Sequence, residues 1–202
     1  MTEPRERIEI VCGRVAETVT LLVVLFSLLF VNPDAWAQRS RMIFEHPFIV
    51  AARAGEIKAV RDYIARGEAP EVRDKNGQTP LMIAVQGGNF EMAEIIITAT
   101  KFIDIKDNQG NTALGLAAIH GHPDSAEILL FSGASPNVPN RQGMTPLMLA
   151  AKHARELILE MMADYSPDLA LRDYTGRGPL GWARQGRSNR VIRLLETIGA
   201  RD

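Results

Sequence analysis

Gly77, Gly110, Gly143 and Gly176 stand 33 residues apart, and no other feature of the chain limits its fold so tightly. Leu81, Leu114, Leu147 and Leu180 keep the same interval, as do Ala84, Ala117, Ala150 and Ala183. Asp74, Asp107, Asn140 and Asp173 open each unit in the same phase. A fixed period of this size marks a stack of like units. Each unit is too small to bury its own apolar face, so stability has to come from its neighbours. Aromatic residues make up only 6% of the chain, which suits close helix packing through small side chains better than a β-sandwich.

Within each unit the residues have separable roles. The Asp and Gly positions predict a tight turn between units, with Gly supplying positive φ. A threonine then caps a first helix whose opening proline gives up only an N–H that had no partner. This motif stands as Thr79-Pro80-Leu81-Met82-Ile83-Ala84 and Thr145-Pro146-Leu147-Met148-Leu149-Ala150, with Thr112-Ala113-Leu114-Gly115-Leu116-Ala117 between them and Gly178-Pro179-Leu180-Gly181-Trp182-Ala183 last. Carried backwards, the frame aligns Pro47-Phe48-Ile49-Val50-Ala51-Ala52. A second helix follows, with apolar residues at helical spacing such as Phe90, Ala93, Ile96 and Ile97, or Ala126, Leu129 and Leu130. Pro123 opens the third of these, after His122.

A 33-residue period carrying T-P-L-x-x-A resembles the ankyrin repeat family, and in particular its exported bacterial members. The resemblance implies an all-α solenoid of about five helix-turn-helix units with short turn or β-hairpin fingers. Repeats are expected near 41–73, 74–106, 107–139, 140–172 and 173–202, in a domain covering 38–202. It also implies a scaffold that binds proteins and is not an enzyme. Exported bacterial relatives are linked to protecting or assisting partner enzymes, catalases among them. The first unit, which lacks the turn glycine, and the last, with Arg184, Arg187, Asn189, Arg190 and Arg193 on its helices, are expected to cap the stack.

This chain departs from the family at two places. The histidine usual after T-P-L is replaced by Met82, Gly115, Met148 and Gly181. The glycine that ends the second helix survives as Gly67, Gly133 and Gly199 but becomes Thr100 and Ser166. A non-glycine residue held left-handed at such a position costs roughly 1–2 kcal/mol.

The N-terminal 37 residues are of another kind. Thr18 to Val31 is uncharged and largely apolar, too short for a membrane-spanning helix of about 20 residues but suited to the hydrophobic region of a signal peptide. Asn32-Pro33 breaks it, and Ala35-Trp36-Ala37 supplies a small-x-small cleavage site before Gln38. Arg5, Arg7 and Arg14 are outnumbered by Glu3, Glu6, Glu9 and Glu17, whereas a signal peptide begins positive. That leaves two alternatives to cleavage of the segment as written: a start downstream of Met1, or an uncleaved signal anchor. Export to the bacterial periplasm is the expectation, with inner-membrane anchoring as the alternative. The sole cysteine, Cys12, lies in this segment, so no intramolecular disulfide can form.

The sequence offers little chemistry. It has no phosphate-binding glycine loop, no paired-cysteine site and no nucleophile elbow. His120 and His153 occupy one position in adjacent repeats but lack a third ligand at suitable spacing. Met144, Met148, Met161 and Met162 read as packing rather than a copper site, although the frame places Met144 at an exposed position. No cofactor and no metal are expected.

Partner binding in this family uses turn tips and the inner face of the first helices. The frame puts Arg53, Arg73, Lys75, Lys106, His120, Arg141, Lys152, His153, Arg172, Tyr174 and Arg177 there, with Gln78, Gln86, Asn108, Gln109 and Gln142 among them. Eight of the tip and groove positions are basic and one, Glu45, is acidic. The remaining mature chain is acidic on balance, with Glu91, Glu94, Glu127, Glu156, Glu160 and Asp164 on second helices or at their ends. A nearly neutral protein, with formal charge -1, is thus expected to present a basic binding face to an acidic protein partner, with Tyr174 as aromatic anchor. The expected form is a monomer that binds no nucleic acid, because no stacking aromatics line the groove. It would meet a membrane only through an uncleaved N-terminal segment.

Overall fold

In the motif segments, local hydrogen bonding starts each helix. The Thr79, Thr112 and Thr145 hydroxyls accept the N–H groups of Met82, Gly115 and Met148 at 3.3, 3.2 and 3.3 Å, satisfying donors that the helix itself leaves open. Pro47, Pro80, Pro146 and Pro179 occupy the first turns of their helices. The computed structural model describes residues 45–201. The expected signal segment, its expected cleavage site and the expected start of the first repeat at residue 41 lie outside the described residues.

Ten helices occur among the described residues, in five successive hairpins. They are α1 (Pro47–Ala54) with α2 (Ile57–Ala65), α3 (Pro80–Gln86) with α4 (Phe90–Ile97), and α5 (Ala113–His120) with α6 (Pro123–Phe131). Then come α7 (Pro146–Lys152) with α8 (Glu156–Ala163), and α9 (Pro179–Gln185) with α10 (Asn189–Thr197). The first helices pack on one another in chain order as an inner layer, and the second helices form an outer layer. Leu81, Leu114, Leu147 and Leu180 are buried between them, as are Ala84, Ala117, Ala150 and Ala183. The alanines let successive inner helices approach closely, and one continuous core runs from Phe48 to Ala200. Among the described residues no helix is long and apolar enough to cross a membrane.

The connecting fingers span residues 74–78, 107–111, 140–144 and 173–177. In each, the side-chain oxygen of the opening residue accepts the N–H groups two and four residues on: Asp74 from Asn76 and Gln78, Asp107 from Gln109 and Asn111, Asn140 from Gln142 and Met144, and Asp173 from Thr175 and Arg177. Fingers join one to the next through a single backbone bond each, from Asn108 to Asn76, Arg141 to Gln109 and Tyr174 to Gln142. One bond per finger makes no ladder. Of the two expected forms, turn or β-hairpin, the fingers take the turn form, with no strand among the described residues.

The finger glycines answer two demands at once. Gly143 has φ 80°, and a Cβ there would lie 2.9 Å from the Tyr174 nitrogen. Gly176 has φ 81° but no neighbour within 4 Å of that point.

Three expectations are corrected. Ser166 is left-handed at φ 51°, but Thr100 is absent from the positive-φ residues. At Thr100 the Glu71 carboxylate accepts both the threonine hydroxyl at 3.1 Å and the Lys101 N–H at 2.9 Å. Met144 is buried at 1% exposure, because its side chain packs into the core beneath the finger. Phe90 faces solvent, and Met92 takes the inward place beside Ala93 and Ile96.

Two periodic devices have no single-letter signature. Gly55, Gly88, Gly121, Ala154 and Arg187 all turn the first helix into the second with positive φ, the last two at 53° and 55° without glycine. Glu71, Asp104 and Asn137 accept the N–H groups of Lys101, Ser135 and Asp168, tying the end of one unit to the next. Burial raises the Asp104 carboxyl pKa above its ordinary value, against the opposing effects of the Ser135 N–H and the Lys106 ammonium.

Candidate interaction groove

Fingers and inner helices together line a row of clefts. One, of about 400 Å³, lies between fingers 74–78 and 107–111, with Gln78, Gln86, Asn108, Gln109 and His120 on its walls. The next, about 470 Å³, lies between fingers 107–111 and 140–144 and is lined by Arg141, Gln142, Lys152 and His153 with Asn108, Gln109, Asn111 and Asn140. Carboxamides, which both donate and accept, are the commonest lining groups. Their number along one groove was not singled out in the sequence.

All the residues expected on this face are at the surface, but their charges are engaged differently. Arg53 is ion-paired with Asp74 at 3.0 Å, and the Asp74 side chain is fully buried. Arg73 and Lys106 donate to the carbonyls of Lys106 and Pro139 at 2.9 and 2.7 Å, and Arg172 donates to that of Arg201 at 3.2 Å. These three act as struts between units while keeping their charge. Lys75 and Arg141 project from finger tips and are exposed. Tyr174 is 79% exposed, with its ring edge close over Gly143.

Lys152 and Arg177 both lie on Trp182. The Lys152 Nζ is 4.8 Å and the Arg177 guanidinium 5.1 Å from the ring centroid, within the range of cation–π attraction. Trp182 is only 7% exposed and donates its Nε1–H to Asp173 at 3.1 Å. Burial by itself would raise the Asp173 carboxyl. Donors from the Thr175 hydroxyl and backbone, Arg177 and Trp182 outweigh burial and hold the pKa below its ordinary value. The sequence reading missed this cluster, whose signal was a tryptophan at a position filled in the other units by Val50, Ile83, Leu116 and Leu149.

His120 and His153 sit on the groove rim. Burial lowers the His120 pKa, helped by His122 and Arg155; burial again leads for His153, followed by Lys152, Arg155 and His120. The lowered values favour the neutral form of both rings. Arg155 lies behind them, donating to the carbonyls of Ile119 and His120 at the end of α5. No group of three or more metal-binding side chains occurs among the described residues.

A row of helical hairpins stacked at a fixed period and bridged by exposed turns defines the class: a repeat solenoid, whose surface rather than any enclosed cavity does the recognising. Residues 48–140 match the family described as ankyrin repeats (3 copies), so this stretch of the chain is built of ankyrin repeats. No curated protein matches it. Ankyrin repeats are generally modules for protein–protein interaction, which fits a groove that is open and polar.

Proposed function

We propose that this chain is an exported, non-catalytic interaction scaffold of about five ankyrin repeats that acts in the bacterial periplasm. It binds as a monomer to an acidic protein surface through the face formed by its fingers and inner helices. The division of charge carries the reading. Lys75, Arg141, Lys152, Arg172 and Arg177 stand on the finger side, whereas the outer helices expose Glu91, Glu94, Glu127 and Glu160. Opposed faces of this kind steer a charged partner to one orientation.

Export rests on the apolar run 18–31 and the Ala35-Trp36-Ala37 site. An uncleaved anchor holding the repeats at the inner membrane is the second reading, favoured by the acidic residues before the apolar run. A third is secretion to act on host proteins. N-terminal sequencing of the mature protein separates cleavage, with Gln38 first, from anchoring, and recovery from the culture medium would indicate secretion. The binding claim is tested by affinity capture from periplasmic extract with mass spectrometry. Reversal of Lys75 and Arg141 to Glu should abolish capture of the acidic partner, and unchanged capture would refute the basic-face reading.

A further inference from the structure

We infer that the cleft between fingers 107–111 and 140–144 is a dedicated subsite for a carboxylate side chain of the partner protein, bounded by Arg141 and Lys152. The inference rests on the proposed acidic partner and assigns it a landing point. Three observations converge on this cleft.

The first is the finger residue itself. Three of the four fingers open with aspartate, at 74, 107 and 173, but the one beside Arg141 opens with Asn140. Asn140 makes the same turn, accepting the Gln142 and Met144 N–H groups at 2.9 and 3.0 Å. Its amide also donates to the Asn111 Oδ1 at 3.0 Å. The turn chemistry is kept and the negative charge is gone. The cleft is consequently lined by no carboxylate, whereas Asp107 lines its neighbour.

The second is how equivalent cations are engaged. Arg53 and Lys152 occupy the same place in their repeats, 99 residues or three periods apart. Arg53 is paired with Asp74 of the following finger. The carboxylate that Lys152 would meet in the same way belongs to Asp173, which instead accepts the Trp182 indole N–H, and Lys152 rests on the indole face. A ring face holds an ammonium without cancelling its charge.

The third is the composition of the rest of the wall. Asn108, Gln109, Asn111 and Gln142 can donate to an anion, and the His153 ring stands at the rim. A carboxylate entering here meets an exposed guanidinium, a half-buried ammonium and amide donors, with no like charge to repel it.

Trp182 supplies a reporter, because Lys152 lies over its ring and a Trp36→Phe background leaves it as the only indole. The probe is a short peptide of alternating Glu and Ser, titrated into the full chain and followed by Trp182 emission and calorimetry. Its counterpart with Gln in place of Glu serves as the control. The Glu peptide should bind and change the emission, and the Gln peptide should not. Lys152→Gln and Arg141→Gln should each weaken binding about five-fold, and Lys75→Gln less than about two-fold. Asn140→Asp, which restores the residue of the other fingers, should also weaken it about five-fold while the chain still melts cooperatively. Equal losses from Lys75→Gln and Lys152→Gln, or no loss from Asn140→Asp, would overturn the subsite and leave the acidic-partner reading standing. Failure of the Glu peptide to bind, or equal binding of the Gln peptide, would overturn both. Tighter binding of an oligothymidylate that displaces the Glu peptide would overturn the protein-partner assignment.

Discussion

Ser166 and Thr100 hold equivalent places after the second helix, and replacing each by glycine should move stability in opposite directions. Ser166 is left-handed at φ 51°, a conformation that costs an L-residue about 1–2 kcal/mol. Glycine removes that cost but adds about 0.4–1 kcal/mol of unfolded-state freedom. Ser166→Gly should therefore stabilise the chain by about 0.5–1 kcal/mol. Thr100 has no such strain to relieve. Thr100→Gly loses the hydroxyl bond to Glu71 at 3.1 Å, worth about 0.5–1.5 kcal/mol, and pays the same entropy, for a net loss of about 1–2 kcal/mol. The gap between the variants is about 2 kcal/mol, which for a domain of this length separates their Tm values by about 6 °C. Urea and thermal unfolding followed by far-ultraviolet circular dichroism would measure it. Equal stabilisation by both glycines would refute the reasoning, since it would mean that Thr100 is also held left-handed in solution.

Gly143→Ala and Gly176→Ala share the same unfavourable φ, but only the first meets the next finger. We expect a loss of about 1 kcal/mol for Gly176→Ala and at least twice that for Gly143→Ala, read from urea midpoints. Trp182→Phe leaves the buried Asp173 carboxylate short of a donor and should cost about 2 kcal/mol by the same measurement. His120 and His153 have folded pKa values below the ordinary 6.5, so between the two values the unfolded chain binds more protons. Stability should fall as pH drops below about 6.5. Tm measured from pH 7.5 down to 5 should decline less steeply in the His120→Gln/His153→Gln variant, and an identical decline would contradict this assignment.

What the sequence made legible follows from what periodicity can encode. Finger glycines, capping threonines, first-turn prolines and core leucines and alanines each demand one residue type, so they recur as letters. The helix-to-helix turn was overlooked because Ala154 and Arg187 take the left-handed conformation that Gly55, Gly88 and Gly121 take more easily. The acceptors Glu71, Asp104 and Asn137 share a function but not a letter. Thr100 and Met144 went astray for a related reason. A repeat frame assigns each position an average environment, whereas a neighbouring acceptor such as Glu71 or a longer apolar side chain resets it locally. In the groove, the positions of the basic residues could be read from the frame. Their partners could not, because the pairing of Arg53 with Asp74 and of Lys152 with Trp182 depends on which side chain reaches which neighbour across the stack.

Site-specific photo-crosslinking in periplasmic extract tests the central claim most directly. A photoreactive side chain at Tyr174, on the groove side, should capture the partner, and one at Glu160, on the outer helices, should not. Capture from Glu160 with none from Tyr174 would place the partner on the acidic side and contradict the account.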